Sequence, residues 1–251
     1  MNLLLKPSNN LIFKRLINAF QELTENIQLI CECRCIEIEA INLSCMKVEL
    51  CTSFFEKFEF EYSPNLLIFN IDAKLLCDIL NSVGIHDKLE LVYKYEIDNL
   101  LELIIFSPGS IIRSYRLNKN SNYVVPLEIE TILIEKTIYK CKFQISKDQL
   151  LKTFNHMTLI SDKVELSVDM YGIDFRSTDS HISACVSIAI TDRNRLELIQ
   201  SSSASYFCRR IKKFMPATFE NVTLTILGNS LLMIQSNNGE AFIEWYEPSI
   251  N

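Results

Sequence analysis

Apolar positions along the chain follow two periods, and the two alternate. Ile12, Leu16, Ile17, Phe20 and Leu23 recur at helical steps and leave Lys14, Arg15 and Asn18 on another face, which predicts an amphipathic helix. Alternation follows in Cys35-Ile36-Glu37-Ile38-Glu39-Ala40-Ile41 and in Met46-Lys47-Val48-Glu49-Leu50, the two-residue period of half-buried strands. A second helix is predicted from Ala73 to Val83, with Asn70 or Asp72 as its N-cap and Gly84 as its stop. Strands are predicted at 88–95, 100–106 and 110–118. Farther on, Phe207, Cys208, Ile211, Phe214 and Met215 form another helical stripe, which Pro216 ends. Strands at 221–227, 231–236 and 240–246 close the chain.

The order repeats. Residues 13–50 resemble residues 150–187 at an offset of 137, which pairs Arg15 with Lys152, Asn18 with Asn155, Ile36 with Ile173, Ile38 with Phe175 and Asn42 with Asp179. Leu75-Leu76-Cys77-Asp78-Ile79 parallels Phe207-Cys208-Arg209-Arg210-Ile211 at 132, and 88–93 parallels 221–226 at 133. The shrinking offset reads as small loop deletions in a second copy. A polar stretch, Asn118-Lys119-Asn120-Ser121-Asn122 on to Pro126, reads as an exposed crossing between the copies. The boundaries that follow are an N-terminal domain at 1–118, a connector at 119–138 and a C-terminal domain at 139–251. Two similar α+β domains, each with two helices on an antiparallel sheet, suit this pattern better than a βαβ unit. Dinucleotide binding is disfavoured, because no Gly-x-Gly-x-x-Gly follows a strand.

Composition narrows the chemistry. With 251 residues, 48% hydrophobic, and with 15 Phe and 9 Tyr, the chain can bury a substantial core. No apolar run reaches the ~20 residues of a membrane helix, and the first residues lack a basic region and cleavage site, so no export signal is expected. The nine Cys are therefore expected as reduced thiols in a nuclear or cytosolic setting. A net charge of −6 argues against a uniformly cationic surface but allows a local basic strip. Cys31, Cys33 and Cys35 invite a metal reading; in a strand they would share a face, and with no second pair or His cluster nearby they are read as core thiols. No metal, cofactor or catalytic residue is expected. His86, His156 and His181 are scattered, so a Cys–His hydrolase stands only as a remote alternative.

The basic helix Ile12-Phe13-Lys14-Arg15-Leu16-Ile17-Asn18-Ala19-Phe20, the strings Tyr139-Lys140-Cys141-Lys142-Phe143 and Phe207-Cys208-Arg209-Arg210-Ile211, and the ending Ile243-Glu244-Trp245-Tyr246-Glu247-Pro248-Ser249-Ile250 resemble the proliferating cell nuclear antigen family of DNA sliding clamps, in order and spacing, over essentially the whole chain. The resemblance implies an α+β DNA-clamp fold of two topologically similar domains, assembling as a six-domain ring. It implies no enzyme but a DNA replication and repair processivity factor that encircles double-stranded DNA irrespective of sequence. DNA polymerase, the clamp loader and other proteins with a clamp-binding motif are the implied partners. A homotrimer is implied, with a heterotrimeric or DNA-damage checkpoint clamp as the alternative, and no membrane. The implied location is the nucleus, or the cytoplasm of a prokaryote or an infected cell.

The resemblance also implies residue roles. Phosphates would be held by Lys14, Arg15, Lys74, Lys147, Lys152, Arg209, Arg210, Lys212 and Lys213, since holding DNA of any sequence needs only cations directed at its backbone. A solvated helix face is the plain alternative, and Asp78, Asn81 and Pro216 stand where the family usually carries Lys. A partner-peptide pocket would use Ile41, Leu127, Ile129, Trp245, Pro248 and Ile250, with Trp245 alternatively a core aromatic. Subunits would join along Ser110 to Leu117, with Ile112, Tyr115 and Leu117, and along His181 to Ala189, with Ile182, Cys185 and Ser187.

Overall fold

The computed structural model describes residues 2–21, 23–41, 44–61, 66–94, 100–118, 139–189 and 196–250. Two compact units are distinguished: Met1–Asn42, Met46–Val125 and Gly239–Phe242 form the first, and Leu43–Cys45, Pro126–Asn238 and Ile243–Asn251 the second.

The first unit runs β1 (Asn2–Pro7), α1 (Asn10–Gln21), β2 (Asn26–Glu32), β3 (Cys35–Ile41), β4 (Cys45–Cys51), β5 (Phe55–Phe60), β6 (Leu66–Asp72), α2 (Ala73–Asn81), β7 (Lys88–Lys94), β8 (Leu100–Ser107) and β9 (Ile111–Asn118). One antiparallel sheet is ordered β5-β1-β7-β8-β9, and a second run is ordered β4-β3-β2-β6. Register explains the core. Leu89, Leu91 and Tyr93 on β7 lie opposite Ile105, Leu103 and Leu101 on β8, and all six are buried. Their alternation with Lys88, Glu90, Val92 and Lys94 puts one face inside, each buried side chain contributing about 1.5–3 kcal/mol. Helices α1 and α2 pack on each other, and α2 rests on β2 and β6.

The second unit runs β10 (Tyr139–Ser146), α3 (Lys147–Met157), β11 (Lys163–Val168), β12 (Gly172–Thr178), β13 (Ser183–Ala189), β14 (Leu196–Leu198), β15 (Ser202–Phe207), α4 (Cys208–Phe214), a 3-10 turn at Met215–Ala217, β16 (Asn221–Leu227), β17 (Leu232–Asn237) and β18 (Ala241–Glu247). Its antiparallel sheet is ordered β13-β12-β11-β15, with a second run β14-β10-β16-β17-β18. Helix α3 packs on β10 and β12, and α4 packs on α3 and β11. A Cβ at Gly172 would sit 2.4 Å from the Ile188 carbonyl oxygen, so only glycine allows β12 and β13 to approach this closely.

The expected α+β clamp fold, with two helices on the sheet of each domain and six domains in a ring, is corrected by these elements. Strand makes up 57% of the structure, so the chain is mostly β rather than a pair of α+β domains. The described helices are only seven to twelve residues long, so strands supply most of the described core. Strands β1, β2 and β5 went unread in the sequence for a physical reason. In β2, Ile27, Gln28 and Leu29 are buried in succession, which erases the two-residue alternation, while Glu56 and Lys57 in β5 are both exposed. The second helix stops at Asn81 with Ser82 as its C-cap, short of Val83.

Candidate nucleic-acid interface

Charge is sorted by element. The four described helices carry nine Lys/Arg and two Asp/Glu, whereas the whole chain has 25 and 31, so 16 cations and 29 anions lie elsewhere. In α1 the Asn9 carboxamide oxygen accepts from the Ile12 amide at 3.0 Å, capping the first turn. Phe13, Leu16, Ile17, Ala19 and Phe20 turn inward. Lys14 and Arg15 are half-buried on the opposite face. The Lys14 amine donates to the Asn81 carbonyl at 3.3 Å, closing the C-terminal end of α2. Arg15 Nε is buried without a hydrogen-bond partner. In α2, capped by Asp72 through the Leu75 amide at 2.8 Å, Lys74 is exposed.

Ser146 caps α3 by accepting from the Gln149 amide, and Leu150, Thr153, Phe154 and Met157 form its inner face. Lys152 is exposed, but Lys147 is not free for a ligand. Its amine donates to the carbonyls of Pro216 and Thr218 at 3.1 and 2.8 Å, which satisfies backbone acceptors after α4. On α4, Cys208, Ile211 and Phe214 are buried, Arg209 and Lys213 are exposed, and Arg210 and Lys212 are half-buried. Lys212 reaches the Thr158 hydroxyl at 3.5 Å.

Adjacent arginines on α4 have opposite fates. Arg209 pairs with Asp162 at 3.0 Å with side chains 68% and 50% exposed, an ion pair worth about 0–1 kcal/mol that a phosphate can displace. Arg210 pairs at 3.3 Å with Glu247, whose side chain is 0% exposed. Its guanidinium lies 4.4 Å over the Phe207 ring. Glu247 also accepts from the Ser44 hydroxyl and from Trp245 Nε1. Burial pushes the Glu247 carboxyl above its ordinary value, against the pull of Ser44, Arg210 and Trp245. Leaving a buried carboxylate unpaired is costly, so Arg210 is held within the fold. Of the residues expected to meet phosphate, Arg210, Lys147, Lys14 and Lys212 have protein partners in the fold, and Lys74, Lys152, Arg209 and Lys213 are exposed. Sequence reasoning missed Glu247, Ser44 and Asp162, whose partners are set by contacts distant in the chain.

The expected partner pocket is only in part open to description. Leu127 and Ile129 lie outside the described residues, and so does the side chain of Ile41, which ends β3. Trp245 is corrected from pocket wall to core: it is 1% exposed, its ring 4.8 Å from that of Phe214. Pro248 is exposed, and Ile250 is half-buried with its amide bonded to the Ser205 carbonyl at 2.7 Å. The expected joining strands are both edge strands, β9 of its sheet and β13 of its own. Ile112 is 62% and Ile182 59% exposed, Cys185 and Ser187 are exposed, and Tyr115 is half-buried. Leu117 is corrected to a core residue at 3% exposure.

The cysteine reading also changes in geometry. Cys31 is in β2 and Cys35 in β3, and Cys33 lies in the bend between them, so the three do not share one strand face. Burial pushes the Cys31 thiol up, and burial followed by Glu37 and Glu49 pushes Cys35 up to about 11. Both stay protonated near neutrality, the wrong form for a nucleophile or a metal ligand. Among the described residues no group of three or more His, Cys, Asp or Glu could hold a metal ion, and no helix is long and apolar enough to cross a membrane. Neither family models nor curated proteins yield a match to this chain.

Proposed function

We propose that the chain is a non-catalytic DNA-holding subunit of the sliding-clamp type. It grips duplex DNA by its phosphates irrespective of sequence and tethers replication and repair enzymes there, in the nucleus or in a prokaryotic or viral setting. The observation that carries this reading is the sorting of charge: an acidic chain places nine of its 25 cations on the four described helices, which are short and hold only two acids. Phosphate contact needs fixed cations without base readout or a reactive group, and helix faces supply these at regular spacing. Among the described residues β9 and β13 are edge strands, which supports self-assembly with a trimer as the expected state, because an open edge is a pairing template.

The test is a titration of labelled duplex DNA at several salt concentrations. Log affinity is expected to fall linearly with log salt, and Arg209→Ala/Lys212→Ala/Lys213→Ala to flatten the slope by about 0.9 for each phosphate contact removed. Salt-independent binding, or a slope unchanged by the triple variant, overturns the reading.

A further inference from the structure

Arg210 shares α4 with Arg209 and Lys213, yet its side chain is 30% exposed where that of Arg209 is 68% exposed. Its guanidinium is engaged on two sides, by Glu247 at 3.3 Å and by the Phe207 ring at 4.4 Å. We propose that Glu247 is a positioning residue for α4, which withholds Arg210 from the phosphate-binding set and so sets how many cations this helix offers to DNA. The assignment rests on the DNA-holding function given above.

Three observations support it. Glu247 has no exposed side-chain surface, and its two oxygens are shared among Ser44, Trp245 and Arg210, so the carboxylate cannot swing away with the guanidinium. Trp245, bonded to Glu247, also stacks on Phe214, four residues along α4 from Arg210. Strand β18 therefore holds the helix at two points one turn apart. Finally, Arg210 and Lys213 stand three residues apart and are neighbours on the helix surface. A guanidinium released from Glu247 extends beside Lys213, toward the same phosphates.

The experiment measures the salt slope of duplex-DNA affinity in the full chain. Glu247→Gln keeps the shape of the side chain and removes its charge; it is expected to steepen the slope by about 0.9, one added phosphate contact. Adding Arg210→Gln to that variant returns the slope to the starting value, a reversal that loss of structure would not produce. Arg210→Gln alone is expected to leave the slope unchanged, and this variant can still overturn the proposal if Glu247→Gln does not fold. A slope lowered by Arg210→Gln alone, or unmoved by a folded Glu247→Gln, overturns the proposal. Lys213→Ala is the control for the underlying function: a flattened slope upholds DNA holding whichever way Glu247→Gln behaves. An unaffected slope, or no binding by the unaltered protein, overturns the function and this assignment together.

Discussion

The helix pairs of the two units are alike in plan and unlike in charge. Helices α1 and α2 carry three Lys/Arg, α3 and α4 carry six, and each pair holds one Asp. In the first pair Lys14 closes the end of α2, and Arg15 keeps a buried nitrogen without a partner, leaving Lys74 as its exposed cation. In the second pair the structural duties fall on Lys147 and Arg210, while Lys152, Arg209 and Lys213 are exposed. A count of basic residues thus overstates how many cations either pair leaves open to a ligand. What matters is the cost of leaving the present partner, small for Arg209 on exposed Asp162 and large for Arg210 on buried Glu247.

The largest effect that sharpens this contrast lies in the core under α4. Phe214→Ala removes the ring against Trp245, and a loss of about 3–5 kcal/mol in unfolding free energy is expected, read from denaturant melts followed by Trp245 fluorescence. A smaller loss, below about 1 kcal/mol, would mean that α4 is not anchored through this contact.

Next in size is the charge contrast itself. Lys14→Ala/Arg15→Ala/Lys74→Ala is expected to flatten the DNA salt slope by less than the Arg209/Lys212/Lys213 triple, because Lys14 is occupied at the end of α2. Equal or larger flattening by the first-unit triple would break the comparison.

The smallest effect is pH dependence. Burial raises the Glu247 carboxyl, so the folded chain holds that proton more tightly than the unfolded chain does. Its stabilising contribution is full below the ordinary value of 4.5 and is lost as pH rises through the higher folded value. The stability of the unaltered protein relative to Glu247→Gln is therefore expected to fall as pH increases across that interval, measured by denaturant unfolding at each pH. A difference that rises with pH would show that the pull of Arg210 outweighs burial.

Much of the helix content was legible in the chain. The stripe Ile12, Leu16, Ile17 and Phe20 predicted α1, Asp72 does cap α2, and Pro216 does lie in the turn that ends α4. Strands were read well where polar and apolar residues alternate in the sequence, as in β3, β7 and β16, even though β16 is buried continuously from Leu224 to Leu227; β2, whose Leu29-Ile30-Cys31 run has no such alternation, was missed. The fold class went wrong for that reason: strong helical signals stood out while the strands that dominate the core did not. Of the candidate site, the basic residues on the helices could be located from periodicity, but their availability could not. Trp245 illustrates the limit, since an aromatic beside proline reads equally as an open anchor or a core ring, and only the packed Phe214 distinguishes them.

By itself the sequence determined the short-range features: helix periods, caps and the gathering of cations on four segments. Each of these depends on residues within a few positions of one another, where spacing and side-chain chemistry suffice. Tertiary structure alone decided that Arg209 faces solvent and Arg210 is latched, that Lys147 serves backbone carbonyls, and that Leu117 and Trp245 are buried. The partners responsible lie far away in the chain: Glu247 is 37 residues beyond Arg210, and Ser44 is 203 residues before Glu247. No local pattern encodes such pairs, because they form only when packing brings the elements together and low solvent access makes a misplaced charge expensive.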